Sequence, residues 1–253
     1  MTGRPAPTLA ESIAAAQTWW REAGVDFAYN DEPAGWLADE EAPAEAPAPA
    51  HAAPVATRPP EPERPPVGGD RAHWPQDLAA FGPWWLEEPS LDGGGTHPRL
   101  APRGEAGAEL LMLVQMPEDA DRETLLSGSH GQLLASFALA AGLAPEAVTV
   151  AAALPRYTPM PDWNGLAACG HGEVLLHLLG LASPKRLIVF GRSILPLLGH
   201  DPTQVAPVVS QLAIQGRPVP LLATYAPENL LKSARERAGL WQRWLEWTDL
   251  DDR

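Results

Sequence analysis

The 253-residue chain holds a single cysteine, Cys169, and only two lysines. It has no apolar run approaching the roughly 18 residues of a membrane-spanning helix. One cysteine excludes an internal disulfide, a four-cysteine zinc site and a self-contained iron–sulfur cluster. Cys169 itself reads as a small buried hydrophobe rather than a ligand or nucleophile. No basic head followed by an apolar core opens the chain, so no secretory signal is expected and the protein reads as cytoplasmic. Positive charge is scarce too: 18 Lys and Arg stand against 32 Asp and Glu, a formal charge of −14. That balance argues against sequence-blind DNA binding by the whole surface. Also missing are G-x-G-x-x-G after the first apolar strand and G-x-x-x-x-G-K-[ST] anywhere, which removes the dinucleotide fingerprint and the P-loop. Sixteen of the 18 basic residues are arginine, which with the Ala and Pro excess fits a GC-rich bacterial genome.

What is present is unevenly distributed. Residues 1–70 carry 12 acidic and 4 basic side chains, a net −8, whereas residues 107–240 carry 11 and 9, a net −2. Residues 1–40 read as an amino-terminal extension with one amphipathic helix, Thr8 to Ala23. Thr8 and Glu11 have capping-box spacing, Leu9, Ile13, Ala16 and Trp20 form the apolar stripe, and Gly24 stops it. A helix this short should dock on something, and Trp19, Trp20, Phe27 and Trp36 supply apolar surface for it. Residues 41–70 read as a disordered linker, because Ala42 to Pro66 holds nine prolines and eight alanines in 25 residues. A Pro-rich ligand for an SH3-type groove is the functional alternative there.

Residues 71–253 read as one α/β domain. Trp74 to Gly104 suggests a short helix and a loop. Strands are expected at Glu109–Met116, Val148–Leu154, Arg186–Phe190 and Pro218–Thr224. Helices are expected at Gln132–Ala141, Leu166–Leu181 and Glu228–Trp247, with helical pieces from Gly191 through Ile214. Alternating strands and helices imply βαβ units and a mostly parallel sheet of four strands. The ligand crevice then lies beyond the carboxyl ends of the strands, in the loops Pro117–Gly131, Pro155–Gly165, Gly191–Ser193 and Tyr225–Asn229. His171 and His177 are six apart and do not converge on a helix, so no metal site is read there. Gly128-Ser-His-Gly131 reads as a turn into a helix rather than a nucleophile site.

The crevice loops carry a serial pattern. The first strand ends in Leu113-Val-Gln-Met-Pro-Glu-Asp-Ala-Asp121, and Gly128-Ser-His-Gly-Gln-Leu-Leu134 opens the next helix. Ala151-Ala-Ala-Leu-Pro-Arg-Tyr-Thr-Pro159 ends the second strand, Pro184-Lys185 precedes the third, and Thr224-Tyr-Ala-Pro-Glu-Asn-Leu-Leu231 follows the fourth. From Trp74 to Asp249 this order and spacing resembles the uracil-DNA glycosylase superfamily, in particular its iron–sulfur (family-4-like) branch. The resemblance implies a three-layer α/β/α domain with four mostly parallel strands. It also implies a crevice, and a candidate nucleic-acid contact surface, around Gln115, Pro117, Glu118, Asp119, Gly128, Arg156, Tyr225, Pro227 and Asn229.

The departures from that branch bear on chemistry. Val114-Gln115 replaces its Gly-Glu and Glu118 replaces its second glycine. Thr124-Leu-Leu-Ser127 stands where a phenylalanine would stack on the extruded base. Ala151 or Ala152 replaces the base-reading asparagine, and Ala226 replaces the histidine that supports the departing base. Only Cys169 remains of four cluster ligands. The resemblance therefore implies a catalytically degenerate, cofactor-free relative, acting as a nucleic-acid- or protein-binding module linked to DNA repair, with the amino-terminal helix available to a protein partner. The alternative is an active glycosylase with rewired residues, in which Asp121 and Asn229 are the candidates for catalysis. Arg156, Lys185, Arg186, Arg192, Lys232, Arg235 and Arg237 would supply it with a local phosphate track. An unrelated small-molecule hydrolase in the same crevice has fold analogy alone behind it.

Overall fold

The computed structural model describes residues 8–22, 67–200 and 209–251. It divides into two units, Met1–Pro59 and Pro60–Arg253. The described part of the first is helix α1, Leu9–Glu22. Its capping box forms as the spacing predicts. The Glu11 carboxylate accepts from both the Thr8 amide and the Thr8 hydroxyl at 2.8 Å, and the Thr8 hydroxyl accepts from the Glu11 amide at 3.3 Å. Taken by itself α1 buries no residue. Phe27, Trp36 and Ala42 to Pro66 lie outside the described residues.

The second unit is an α/β domain on a five-stranded mixed sheet, ordered β2-β1-β3-β5-β4. The strands are β1 Leu110–Val114, β2 Val148–Ala152, β3 Arg186–Phe190, β4 Val209–Ile214 and β5 Arg217–Thr224. The expected parallel set is β2, β1, β3 and β5, paired in register from Leu110↔Val148 and Leu110↔Arg186 to Phe190↔Thr224. The fifth strand is a correction: 209–214, read as helical from the sequence, pairs antiparallel with β5. Gln215 and Gly216 both have positive φ, 50° and 79°. That makes the two-residue turn that hairpins favour, because its twist matches the strands. Leu212 and Ile214 are buried while Gln211 and Ala213 are exposed, the period-2 alternation of a half-covered edge strand.

β1 is buried at every residue and sends alternate side chains into two cores. Leu111 and Leu113 join Phe81, Trp85, Val174, Leu178 and Ile194 on one face. Leu110, Met112 and Val114 join Leu134, Ala138, Leu240, Trp244 and Trp247 on the other. The first face is covered by α2 Leu78–Glu87, α5 His171–Ala182 and a 3₁₀ segment Arg192–Leu198. The second is covered by α3 Ser129–Ala140 and α7 Ala234–Asp251.

Two expected long helices are broken. Trp163–Ala168 (α4) is separated from α5 at Gly170, whose φ of 87° no helix accommodates. Pro227–Lys232 (α6) is separated from α7 by extended Ser233, where the Arg237 guanidinium donates to the Leu230 and Leu231 carbonyls. Val67–Asp70, compositionally part of the linker, belongs to the described domain. The Trp74 indole donates to the Gly68 carbonyl at 2.7 Å, and the Gly68 amide donates to Ser90 Oγ at 2.8 Å. No described helix is long and apolar enough to cross a membrane.

Candidate functional site

The strand order places a switch point between β1, whose chain goes on to β2 on one side, and β3 on the other, and crevices form beyond carboxyl ends there. A cavity of about 480 Å³ opens at that end of β1, within the range of small-molecule pockets. Its wall comes from residues 114–120, Leu126, His130, residues 157–160 and residues 226–228. Three of the four crevice loops expected from topology therefore meet in one cavity. The fourth is linked to it, because the Gln115 amide donates to Ser193 Oγ across the switch point. A Cβ on Gly191 would lie 2.6 Å from Gln115 Cδ, so glycine there is what lets the Gln115 side chain cross.

The loop from Pro117 to Gly128 is held from inside by Asp121, which is 1% exposed. Asp121 Oδ2 accepts the amides of Glu118 and Leu126, and Oδ1 accepts the amide of Ser127, each at 2.8 Å, together with the Ser127 hydroxyl at 2.7 Å. Burial pushes its carboxyl up, but the Ser127 hydroxyl and the three amides outweigh that and hold it below the ordinary carboxylate value. Asp121 is therefore a scaffold, and its candidacy for catalysis is corrected: both oxygens are saturated by this loop and it does not line the cavity.

Glu118 has a related task. α3 begins at Gly128 without a side-chain cap, and Glu118 Oε1 supplies one from outside by accepting the amides of His130 at 3.1 Å and Gly131 at 3.3 Å. A Cβ on Gly128 would sit 2.6 Å from Glu118 Oε2, so the glycine makes room for the carboxylate. Leu126, in the cavity wall, has φ of 53°, a strained setting for a branched residue. Its amide is held by Asp121, and its carbonyl oxygen occupies the place a Cβ on Gly131 would need.

Of the remaining candidates, Gln115, Pro117, Asp119 and Pro227 line the cavity and Arg156, Tyr225 and Asn229 do not. Arg156 is turned inward. Its Nε donates to Asp92 at 2.7 Å and its Nη1 to the carbonyls of Gly95 and His97 at 2.9 Å. Arg99 binds the same Asp92 with two further bonds, at 3.1 and 2.9 Å. Burial opposes ionisation of Asp92, but these two guanidiniums prevail and its carboxyl is held below the ordinary value. Tyr225 lies under Arg192, 5.4 Å from guanidinium carbon to ring centre, and Asn229 is exposed on α6.

The expected phosphate track is also corrected. Lys185 and Arg186 sit at the amino end of β3 and Arg192 beyond its carboxyl end, separated by a strand of about 16 Å. Lys185 pairs with Glu109, and Arg186 lies over the rings of Trp244 and Trp247.

Five further residues at the site were not among the sequence candidates: His97, His130, Tyr157, Met160 and Glu228. His97, in the Gly/Pro-rich stretch, meets Asp119 at the cavity mouth, with Nε2 2.7 Å from Oδ1 and its ring edge-on to Tyr157 at 5.0 Å. Met160, 96% exposed with φ of 47°, forms part of the wall with His130 and Glu228.

The residues present do not fit the iron–sulfur centre of the branch that the sequence resembles. Cys169 is exposed at the end of α4 rather than buried as expected, and the sequence offers no second thiolate. His171 and His177 point apart: His171 Nε2 meets the Ala153 carbonyl and His177 Nε2 the Pro75 carbonyl, each at 2.7 Å. Among the described residues no group of three or more metal-ligating side chains converges. No protein-family model matches the chain, and no curated protein matches it.

Proposed function

We propose that the chain is a degenerate uracil-DNA-glycosylase-like protein whose crevice binds a partner in DNA repair without excising bases. The reading is supported by the parallel set β2-β1-β3-β5 with helices against both sheet faces, which is compatible with a three-layer α/β/α domain carrying β4 as an added edge. The composition of the cavity wall carries the functional part. Ala226 stands in that wall where the resemblance gives a histidine, and the Gln115 amide is spent on Ser193. A methyl group can neither donate a hydrogen bond nor carry charge toward a departing base, and one lost donor of that kind lowers a rate by about 10²–10³. Among the described residues no lysine or arginine lines the cavity, which favours a protein over a nucleic-acid strand as occupant.

The test is incubation of the purified protein with single- and double-stranded DNA containing uracil, hypoxanthine or xanthine. No abasic sites above buffer are expected. An active, rewired glycosylase has one specific observation in its favour, the His97–Asp119 pair, because a carboxylate and an imidazole at a cavity mouth can orient water. Abasic-site formation that disappears in Asp119→Asn would establish that second reading and remove the first.

A further inference from the structure

We infer that a second cavity, beneath α3 at the β2 edge of the sheet, binds an aliphatic monocarboxylate. The inference is independent of the crevice, with which this cavity shares no wall residue. Its volume is about 420 Å³, within the range of small-molecule pockets. Met112 of β1, Leu134 and Ala138 of α3, and Val148 and Val150 of β2 come to its wall. Leu139 stands in the same wall with 78% of its surface exposed, so it packs into no core. Among the described residues of the wall, Arg103 alone has a polar side chain, and none is aromatic.

Arg103 is anchored through its backbone and uncommitted through its side chain. Its amide donates to the Val150 carbonyl at 2.9 Å and its carbonyl accepts the Val150 amide at 2.8 Å, an antiparallel bridge onto β2. One residue on, a Cβ on Gly104 would stand 2.6 Å from Thr149 Oγ1 and 2.8 Å from the Val148 carbonyl oxygen, so only glycine lies this close to the strand. The Thr149 hydroxyl donates to the Glu105 carbonyl at 2.8 Å and closes the strap. The Arg103 side chain is exposed and has no hydrogen bond, ion pair or ring partner among the described residues.

One unpaired cation beside apolar walls is complementary to one negative head on an apolar tail. A guanidinium takes a carboxylate through two parallel N–H···O bonds, and one guanidinium balances its single charge but not that of a dianionic phosphate ester. With no second polar side chain in the wall, a hydroxyl or amide along the tail would be buried unpaired, which selects against more polar acids. Leu, Val and Ala surfaces without an aromatic face to stack on suit a saturated tail rather than a planar ring. A tail that displaces loosely held water from such walls gains affinity, about fourfold for each methylene fully buried.

The experiment is isothermal titration calorimetry of the full chain with octanoate as probe, beside butyrate, 1-octanol, octylammonium and octyl phosphate. Saturable binding of octanoate at one site per chain is expected. Butyrate, 1-octanol and octylammonium should each bind at least about tenfold more weakly, and Arg103→Gln should weaken octanoate by about tenfold or more. Arg235→Gln, an exposed arginine of α7 outside the wall, should leave octanoate binding unchanged. Ala138→Leu, which fills the cavity from α3, should abolish it, and melting curves show which variants fold. If Ala138→Leu does not fold, the head-group series on the native chain and Arg103→Gln decide the matter alone. The inference is overturned if octanoate does not saturate, or if butyrate, 1-octanol or octylammonium binds as tightly. Tighter binding of octyl phosphate, or full octanoate affinity in Arg103→Gln or in folded Ala138→Leu, overturns it too.

Discussion

Replacing Asp121 with asparagine keeps its volume and changes only its hydrogen-bond character. The carboxylate accepts four donors, two per oxygen. Asparagine can still accept the Ser127 pair, but its NH₂ then faces the amides of Glu118 and Leu126 donor to donor. Two charge-assisted bonds at about 1.5–3 kcal/mol each are lost. With partial relaxation of the loop the expected destabilisation is about 3 kcal/mol, a fall in melting temperature of about 6–12 °C for a domain of this size.

Acid provides an internal control for the same variant. Because the folded-state pKa of Asp121 is depressed, its contribution is complete above the unfolded value of about 4 and is lost as pH falls through the folded value. The gap between the native protein and Asp121→Asn should therefore be largest at neutral pH and shrink below about pH 4. Urea unfolding followed by tryptophan fluorescence, repeated across pH, measures both quantities. A neutral-pH loss under about 0.5 kcal/mol, or a gap that does not narrow in acid, would refute the assignment of Asp121 as the scaffold of this loop.

Three further outcomes follow from neighbouring geometry. Arg156→Met removes one of two guanidiniums on Asp92 and frees the carbonyls of Gly95 and His97. It should lower stability by about 2–3 kcal/mol in thermal unfolding, less than a fully orphaned buried charge because Arg99 remains. Gly131→Ala places a methyl against the Leu126 carbonyl and should lose about 3 kcal/mol by the same measurement, while Gly142→Ala, with no neighbour near its Cβ position but a φ of 73°, should lose less. His171 is buried with Nδ1 unpartnered, and burial holds its pKa below the ordinary histidine value. The stability tied to its neutral form is complete above about pH 6.5 and declines as pH falls below it, so His171→Gln should flatten the loss of stability between about pH 6.5 and 5 in denaturant titrations.

Much of the sheet is legible in the residues. The unbroken run Leu110-Leu-Met-Leu-Val114 announces a strand buried on both faces, and Arg186-Leu-Ile-Val-Phe190 announces another. β4 is not legible in the same way. Val209 to Ile214 is short, lies among apolar and proline-containing segments, and declares itself only through the Gln215-Gly216 turn, whose first residue is an uncommon choice for positive φ. Gly170 and Ser233 break helices whose apolar periodicity runs on past them, since side-chain period reports a buried face and not the continuity of the backbone beneath it.

The sequence alone determined where the crevice lies, because strand and helix alternation puts ligand loops at the carboxyl ends of the strands whatever their residues. It also determined that no four-thiolate cluster can form, since that is a matter of counting. Only tertiary structure decided what each polar residue in those loops does. Asp121 turns in to hold amides, Arg156 turns in to hold Asp92, and Asp119 turns out to meet His97 from 22 residues upstream. The physical reason is that an aspartate or arginine is equally at home in water or in a saturated internal site, and the two differ only in which backbone donors, acceptors and counter-charges the fold brings within about 3 Å.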